Sequence, residues 1–153
     1  MRRVIVALSA AALLIAVAVA AASATGPQAV TITSVMTITG NGTNTGTFEA
    51  TGPAVSRHLI CASGTVTDVY IDLVSDPTDF PVVKAFVCSG GGPTILMRLQ
   101  VQEGFTWAVQ GGSGPYRTLF GSGLGTTVTG PGAQQVTDTY TGTLVNTGGQ
   151  NAQ

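Results

Sequence analysis

The stretch GGSGPYRTLFGSGLGTT at residues 111–127 decides the fold, because it places closely spaced glycines around one aromatic residue before threonine-rich sequence. Glycine enters positive φ without a steric penalty and lets a second backbone approach closely. The stretch therefore predicts tight turns followed by a strand. It completes neither the glycine pattern of a dinucleotide site nor that of a nucleophile elbow, so it is a feature of architecture and not of catalysis.

Working outward, residues 25–153 contain 21 glycines and 23 threonines, about a third of that segment. Threonine favours strands because its branched Cβ packs on a pleated surface, whereas glycine ends strands in turns. Few segments carry the apolar stripe of a helix. The composition therefore predicts an almost all-β chain.

Apolar residues alternate with polar ones along most of the chain, which is the period of a strand with one inner and one outer face. The clearest example sets Ile95, Met97, Leu99 and Val101 against Leu96, Arg98, Gln100 and Gln102. Seven or eight such strands predict a sandwich or a barrel. Closure into a barrel removes exposed strand edges, but composition does not choose between the two architectures.

The first residues have the features of a secretory signal peptide. Arg2 and Arg3 precede an apolar run at residues 4–22, and Ala22-Ser23-Ala24 forms a small-residue cleavage site. We expect residues 1–24 to be removed, which leaves a barrel domain at 25–147, a frayed tail at 148–153 and a secreted, extracellular protein. The alternative is a retained membrane anchor.

Charge and cysteine content limit the partners of the mature chain. Four basic residues stand against seven acidic ones after residue 24, a formal net charge of −3. Nucleic-acid binding and adsorption to anionic lipid both need a basic face, so we expect neither, and no stable membrane attachment once the signal is removed. Cys61 and Cys88 predict one disulfide in an exported protein, with two free thiols as the alternative.

The sequence WAVQGGSGPYRTLFGSG at residues 107–123 resembles the allene oxide cyclase and dirigent superfamily, in which a strand ends in glycines before an aromatic turn and a G-x-G strand start. TDTYTG at 137–142, and CASGTVTD at 61–68 together with KAFVC at 84–88, are similar to bacterial secreted relatives. The resemblance covers about residues 45 to 146.

This resemblance implies a closed antiparallel β-barrel of about eight strands, often trimeric, with a pocket at one mouth. The plant members cyclise an unstable epoxide or steer the coupling of phenoxy radicals, but no local motif aligns their catalytic residues with this chain. A β-sandwich is the second choice, since the usual core Trp against an inter-sheet disulfide is hard to place when Trp107 follows both cysteines.

Asp138 is the first candidate for chemistry. It lies on the mostly apolar face of the last predicted strand, two residues before Tyr140, whereas the opposite face is uniformly threonine. Burial raises the pKa of a carboxyl group, which suits proton transfer, so Asp138 and Tyr140 are candidate catalytic residues. The alternative is an acid that fixes the last strand through hydrogen bonds.

Phe105, Trp107 and Tyr140 are candidate ligand-binding residues, because their rings could stack on an apolar molecule; the alternative is that they form core. We expect Asp68 and Asp72 to face solvent, and Arg98 to be exposed or paired with an aspartate of a neighbouring strand. His58 is the only histidine and has no ligand set near it, so we expect neither a metal nor a cofactor.

Three function classes follow. The first is a secreted barrel that binds a small apolar or aromatic molecule. The second is a cofactor-independent cyclase or isomerase, or a protein that steers stereochemistry. The third is a surface or assembly protein with a filled interior, since small barrels are often packed solid. The resemblance adds a homotrimer as the expected oligomer.

Overall fold

The computed structural model describes residues 26–39, 43–72, 76, 78–100 and 104–148, which form one closed antiparallel barrel of eight strands. The strands are β1 (Gln28–Thr37), β2 (Thr45–Thr51), β3 (Ser63–Ile71), β4 (Asp79–Val87), β5 (Pro93–Gln100), β6 (Gly104–Gly112), β7 (Leu119–Thr129) and β8 (Gln135–Asn146). Each pairs with the next, and β8 pairs with both β7 and β1. This closure confirms the predicted barrel and excludes the sandwich.

Two predicted segments fall outside this range. The signal peptide at residues 1–24 lies outside the described residues, and so does the tail after Gly148. Within the described residues, no helix has the length and apolar character needed to cross a membrane.

Strict alternation along the strands separates the interior from the surface. On β5, Ile95 and Met97 are buried. Arg98, which lies between Met97 and Leu99, is exposed. On β8, Asp138, Tyr140 and Leu144 are buried. The interior is therefore built mainly from every second residue along the strands, as the sequence pattern predicts.

One end of the barrel, here called the helix end, is sealed. A single helical turn, α1 (Pro53–Ser56), follows β2 and buries Ala54, and the buried Leu59 and Ile60 come after it. Tyr116, in the turn after β6, is buried at the same end. Cys61 and Cys88 form a disulfide there with their Cα atoms 6.0 Å apart, which confirms the predicted pairing.

The middle of the barrel is filled by aromatic rings packed edge to face. The ring of Tyr140 lies at the centre, with its centroid 4.8 Å from that of Phe105, 5.6 Å from that of Phe86 and 6.3 Å from that of Trp107. The ring of Phe48 packs on Phe86 at 5.1 Å. Such edge-to-face pairs stabilise a core beyond the area that they bury.

The glycines of the 111–127 stretch act in two ways. Gly114 adopts a positive φ of 57° in the turn that carries Tyr116. Gly125 is a strand residue whose missing side chain makes room, because an added Cβ would overlap the ring of Phe105 and the backbone oxygen of Thr139. The stretch thus contains both the tight turn and the close approach that its glycines predict. At Gly125 the groups that approach closely are a ring and a backbone oxygen.

Asp68 corrects one sequence expectation. The prediction that it faces solvent is wrong, because it lies directly opposite Lys84 on the interior face. A β-bulge between Asp68 and Tyr70 then shifts the register, which leaves both Val69 and Tyr70 exposed. Simple alternation with Asp68 facing outward would place Val69 inside, and it fails at this bulge.

Candidate functional site

A buried group of three charged residues, here called the charged cluster, lies inside the barrel toward the end opposite the helix. It consists of Asp68, Lys84 and Asp138, which are only 5%, 3% and 1% exposed. Nζ of Lys84 lies 2.7 Å from Oδ1 of Asp68 and 3.2 Å from Oδ2 of Asp138. Because β3 and β4 are not neighbours of β8, the cluster connects strands across the interior.

Asp138 is held by several groups at once. Its Oδ1 accepts a hydrogen bond of 2.8 Å from the hydroxyl of Thr127 on β7. Its Oδ2 faces Lys84 and accepts a 3.5 Å hydrogen bond from the hydroxyl of Tyr140. The predicted proximity of Asp138 and Tyr140 on one inner face is therefore present, and both residues are almost completely buried. Their catalytic role stays a prediction.

The hydroxyl of Tyr140 is strongly biased toward its protonated form. Burial raises its pKa well above the ordinary value, and the negative charge of Asp138 raises it further. The hydroxyl also lies 3.7 Å from Sδ of Met97. Tyr140 is consequently a neutral hydrogen-bond donor to Asp138 at physiological pH.

Asp68 is anchored from the connection between β1 and β2. Nδ2 of Asn44 donates a 2.8 Å hydrogen bond to Oδ2 of Asp68, and the backbone oxygen of Asn44 accepts from the backbone N–H of Asp68 at 2.9 Å. Nζ of Lys84 also lies 3.0 Å from Sδ of Met36. The cluster is thus placed by five strands and one connection.

Ser34 adds a polar group that is left over. It lies on the inner face of β1, directly opposite Asp138 in the register of β1 and β8, and it is fully buried. Its hydroxyl is near enough to Tyr140 to oppose the rise in the pKa of that residue, yet it makes no hydrogen bond of good geometry within the described residues. Buried hydroxyls are seldom left in this condition.

Half-buried apolar side chains from the inner faces of four strands ring the cluster end, which is the end opposite α1. They are Ile71 on β3, Phe80 on β4, Leu99 on β5 and Val136 on β8. The helix end also has the half-buried Val55 and Cys61, but the fully buried Leu59 and Ile60 seal it. The two ends of the barrel therefore differ in both polarity and closure.

Phe105 and Trp107 lie in the core beside Tyr140, and each is 2% exposed. The indole N–H of Trp107 is shared between the backbone oxygens of Leu124 at 3.2 Å and Thr141 at 3.3 Å. These contacts show both rings packing as core. A direct contact of either ring with a ligand stays a prediction.

Among the residues that the structure describes, two surface cavities lie on the outer faces of the strands. The larger, about 410 Å³, is bounded by Leu96, Ala108 and Leu124 on β5, β6 and β7, with Arg98 at its side. The smaller, about 240 Å³, lies over Thr33, Thr47 and Glu49 on β1 and β2.

Arg98 pairs with Asp79 through a 2.9 Å contact at the surface, as expected.

Sequence reasoning missed Lys84, Asn44 and Ser34. A signal for Lys84 was present, because it alternates with Val82 and Phe86 on an apolar face, where a charged residue requires an explanation. Ser34 likewise interrupts the buried series Val30, Ile32 and Met36.

Within the described ranges, no three His, Cys, Asp or Glu side chains converge as a metal site.

Comparison with known proteins gives no assignment: no family model, no curated protein and no solved structure matches the chain. The resemblance to the allene oxide cyclase and dirigent superfamily accordingly stays a prediction, as does the trimer that it implies.

Proposed function

We propose that this chain is a secreted β-barrel that binds a small molecule with an apolar or aromatic body at its cluster end. The observation that carries the proposal is the difference between the two ends. The helix end is sealed by Leu59, Ile60 and Tyr116, whereas the other combines half-buried apolar side chains with a polar group at depth. Ligand sites in proteins are mostly apolar with a few convergent polar groups.

Two further features support this location. The disulfide is consistent with an extracellular protein, in which small binding barrels are stabilised covalently. The aromatic rings fill the middle of the barrel, so a ligand would rest on Tyr140 and the charged cluster and would not pass through the lumen.

The proposal is tested first by recovering the ligand. The protein is purified from its native host, extracted with organic solvent, and the extract is analysed by mass spectrometry. The recovered compound is then titrated back by calorimetry. If no compound is recovered, and none from a panel of small aromatic molecules binds, the proposal is wrong.

A pair of variants on β5 then locates the site. Leu99→Trp would place an indole among the apolar side chains at the cluster end, and we expect affinity to fall about tenfold or more. Leu96→Trp is the matched control, since Leu96 lies on the outer face of the same strand and bounds the larger surface cavity. Loss of binding in Leu96→Trp alone would place the ligand in that outer cavity instead.

A further inference from the structure

The charged cluster contains two carboxylates for one ammonium. Within the part of the chain that the structure describes, Lys84 is the basic residue that pairs with Asp68 and Asp138. All three residues are at least nine-tenths buried. A buried charge is costly when it lacks a partner, so this arrangement favours one more positive charge or proton beside the carboxylates.

Most of the hydrogen-bonding positions that remain unused in the charged cluster are acceptors. The ammonium of Lys84 has three donors, and these face Asp68, Asp138 and the sulfur of Met36. Each carboxylate oxygen can accept about two hydrogen bonds. Oδ1 of Asp68 is contacted by Lys84 and Oδ2 by Asn44, so both retain room for another donor.

Ser34 provides an independent indication of a missing partner. Ser34 pairs with Asp138 in the register of β1 and β8, and its buried hydroxyl lies near Tyr140 but has no hydrogen-bond partner of good geometry among the described residues. A hydroxyl in this position can accept a hydrogen bond from the same group that donates to the carboxylates. The polar atoms here are thus arranged for one additional donor.

We infer that the molecule held at the cluster end carries a protonated primary or secondary amine on its apolar or aromatic body. The inference rests on the proposed function and specifies its ligand class. The amine donates to the carboxylates and neutralises the excess charge, while its apolar body lies against Ile71, Phe80 and Leu99. Asp68 is the first contact, because its side chain is the more exposed of the two carboxylates, at 3% against 1% for Asp138.

Three probes with the same apolar body test this inference. They are 2-phenylethylamine, 2-phenylethanol and 3-phenylpropionate, titrated by calorimetry near pH 7. We expect the amine to bind at least about tenfold more tightly than the alcohol, since both probes donate to a carboxylate but only the ammonium adds the attraction of opposite charges. The carboxylate should bind weakest.

A matched pair of variants assigns the selectivity to Asp68. Asp68→Asn leaves one carboxylate opposite one ammonium, so the barrel should fold, which near-ultraviolet circular dichroism can verify. Its amine affinity should fall about tenfold while its affinity for the alcohol stays the same. Asp79→Asn removes a carboxylate of the surface pair with Arg98 and should change neither affinity.

Ser34→Ala offers a second variant that leaves the cluster's charge unchanged, and it should weaken amine binding about threefold or more. Equal binding of amine and alcohol, tighter binding of the carboxylate, or no binding of the three probes overturns the inference. In that last case the ligand recovered from the native host, and its response to Leu99→Trp, still decide the proposed function separately. Selective amine binding that Asp68→Asn does not weaken also overturns the assignment to the cluster.

Discussion

Lys84 and Asp68 lie directly opposite each other on β4 and β3, with Nζ 2.7 Å from Oδ1 inside the barrel. The same ammonium lies 3.2 Å from Asp138 on β8, a strand that is not hydrogen-bonded to either. Lys84 therefore joins neighbouring strands and also braces the barrel across its interior. The stability of the fold should therefore fall strongly when one member of this buried group of charges is removed.

Lys84→Met should destabilise the fold strongly, because it leaves two buried carboxylates without a cation. We expect a loss of about 3–5 kcal/mol in the free energy of unfolding, measured by urea denaturation near pH 7. Arg98→Met is the control, since its pair with Asp79 is largely exposed and worth about 1 kcal/mol or less. Equal losses in the two variants would contradict a structural role for the cluster.

Much of the fold could be predicted from the sequence because alternation is a local signal. The inner residues Ile95 and Met97, and the polar face opposite them, follow directly from period two. Barrel closure is different, since it depends on β8 meeting β1 more than 100 residues away in the chain. The strand pattern did not favour the barrel over the sandwich; the resemblance did, together with the position of Trp107 after both cysteines.

The charged cluster could not be predicted in the same way. Asp68 was misplaced because a bulge shifts the pairing after it, and bulges have no strong local signature. Asp138 was placed correctly on the inner face, but its partner Lys84 comes from a strand on another side of the barrel. Contacts across a lumen depend on strand number and stagger, which single strands do not encode.

Loss of the disulfide should weaken the barrel at its helix end. Replacing both Cys61 and Cys88 with serine should lower the free energy of unfolding by about 3–4 kcal/mol, since the bridge closes a loop of 27 residues. Chemical denaturation of the two proteins measures the difference. The free energy of unfolding of the double variant should not change when a reductant is added. If the free energy of unfolding of the wild type also stays the same on reduction, the prediction is contradicted.

Gly125→Ala should disturb the packing of the aromatic core. The new methyl group would overlap the ring of Phe105, which packs on Tyr140, so we expect a loss of about 1–3 kcal/mol in thermal or urea unfolding. Gly111→Ala is the matched control, because an added Cβ there meets no atom within 4 Å. Its effect should stay within about 0.5 kcal/mol.

Tyr140 should make the barrel sensitive to high pH. Its pKa is raised in the folded state, so the folded protein keeps the proton more tightly than the unfolded chain does. The resulting stability is complete below the ordinary tyrosine pKa of about 10 and is lost as pH rises through the raised value, at about 1.4 kcal/mol per pH unit.

Unfolding measured between about pH 8 and 12 should therefore show a shallower decline in Tyr140→Phe than in the wild type. Tyr70→Phe serves as the control, because Tyr70 is exposed and its removal should leave the wild-type slope unchanged. Parallel curves for the wild type and Tyr140→Phe would show that the buried hydroxyl does not couple to folding.

Asp138→Asn separates a structural from a catalytic role for this residue. The asparagine keeps the shape and an acceptor for Thr127, and Lys84 keeps Asp68, so a purely structural role predicts a loss of about 1 kcal/mol. Thr127→Val is the matched control, because it removes the hydrogen bond that the asparagine can still accept and leaves the carboxylate of Asp138 in place. The two changes should then be non-additive in the double variant, as expected for contacting residues.

A catalytic role predicts a different result for the same pair. If Asp138 acts as an acid or base on a bound molecule, Asp138→Asn should lower turnover by roughly 10² or more because it removes the titratable proton. Thr127→Val keeps that proton and should retain most of the activity. Calorimetry on both variants measures ligand affinity separately, so that a loss of turnover is distinguished from a loss of binding. Equal turnover in Asp138→Asn and the wild type would leave Asp138 as a residue that positions β8 against β7 and Lys84.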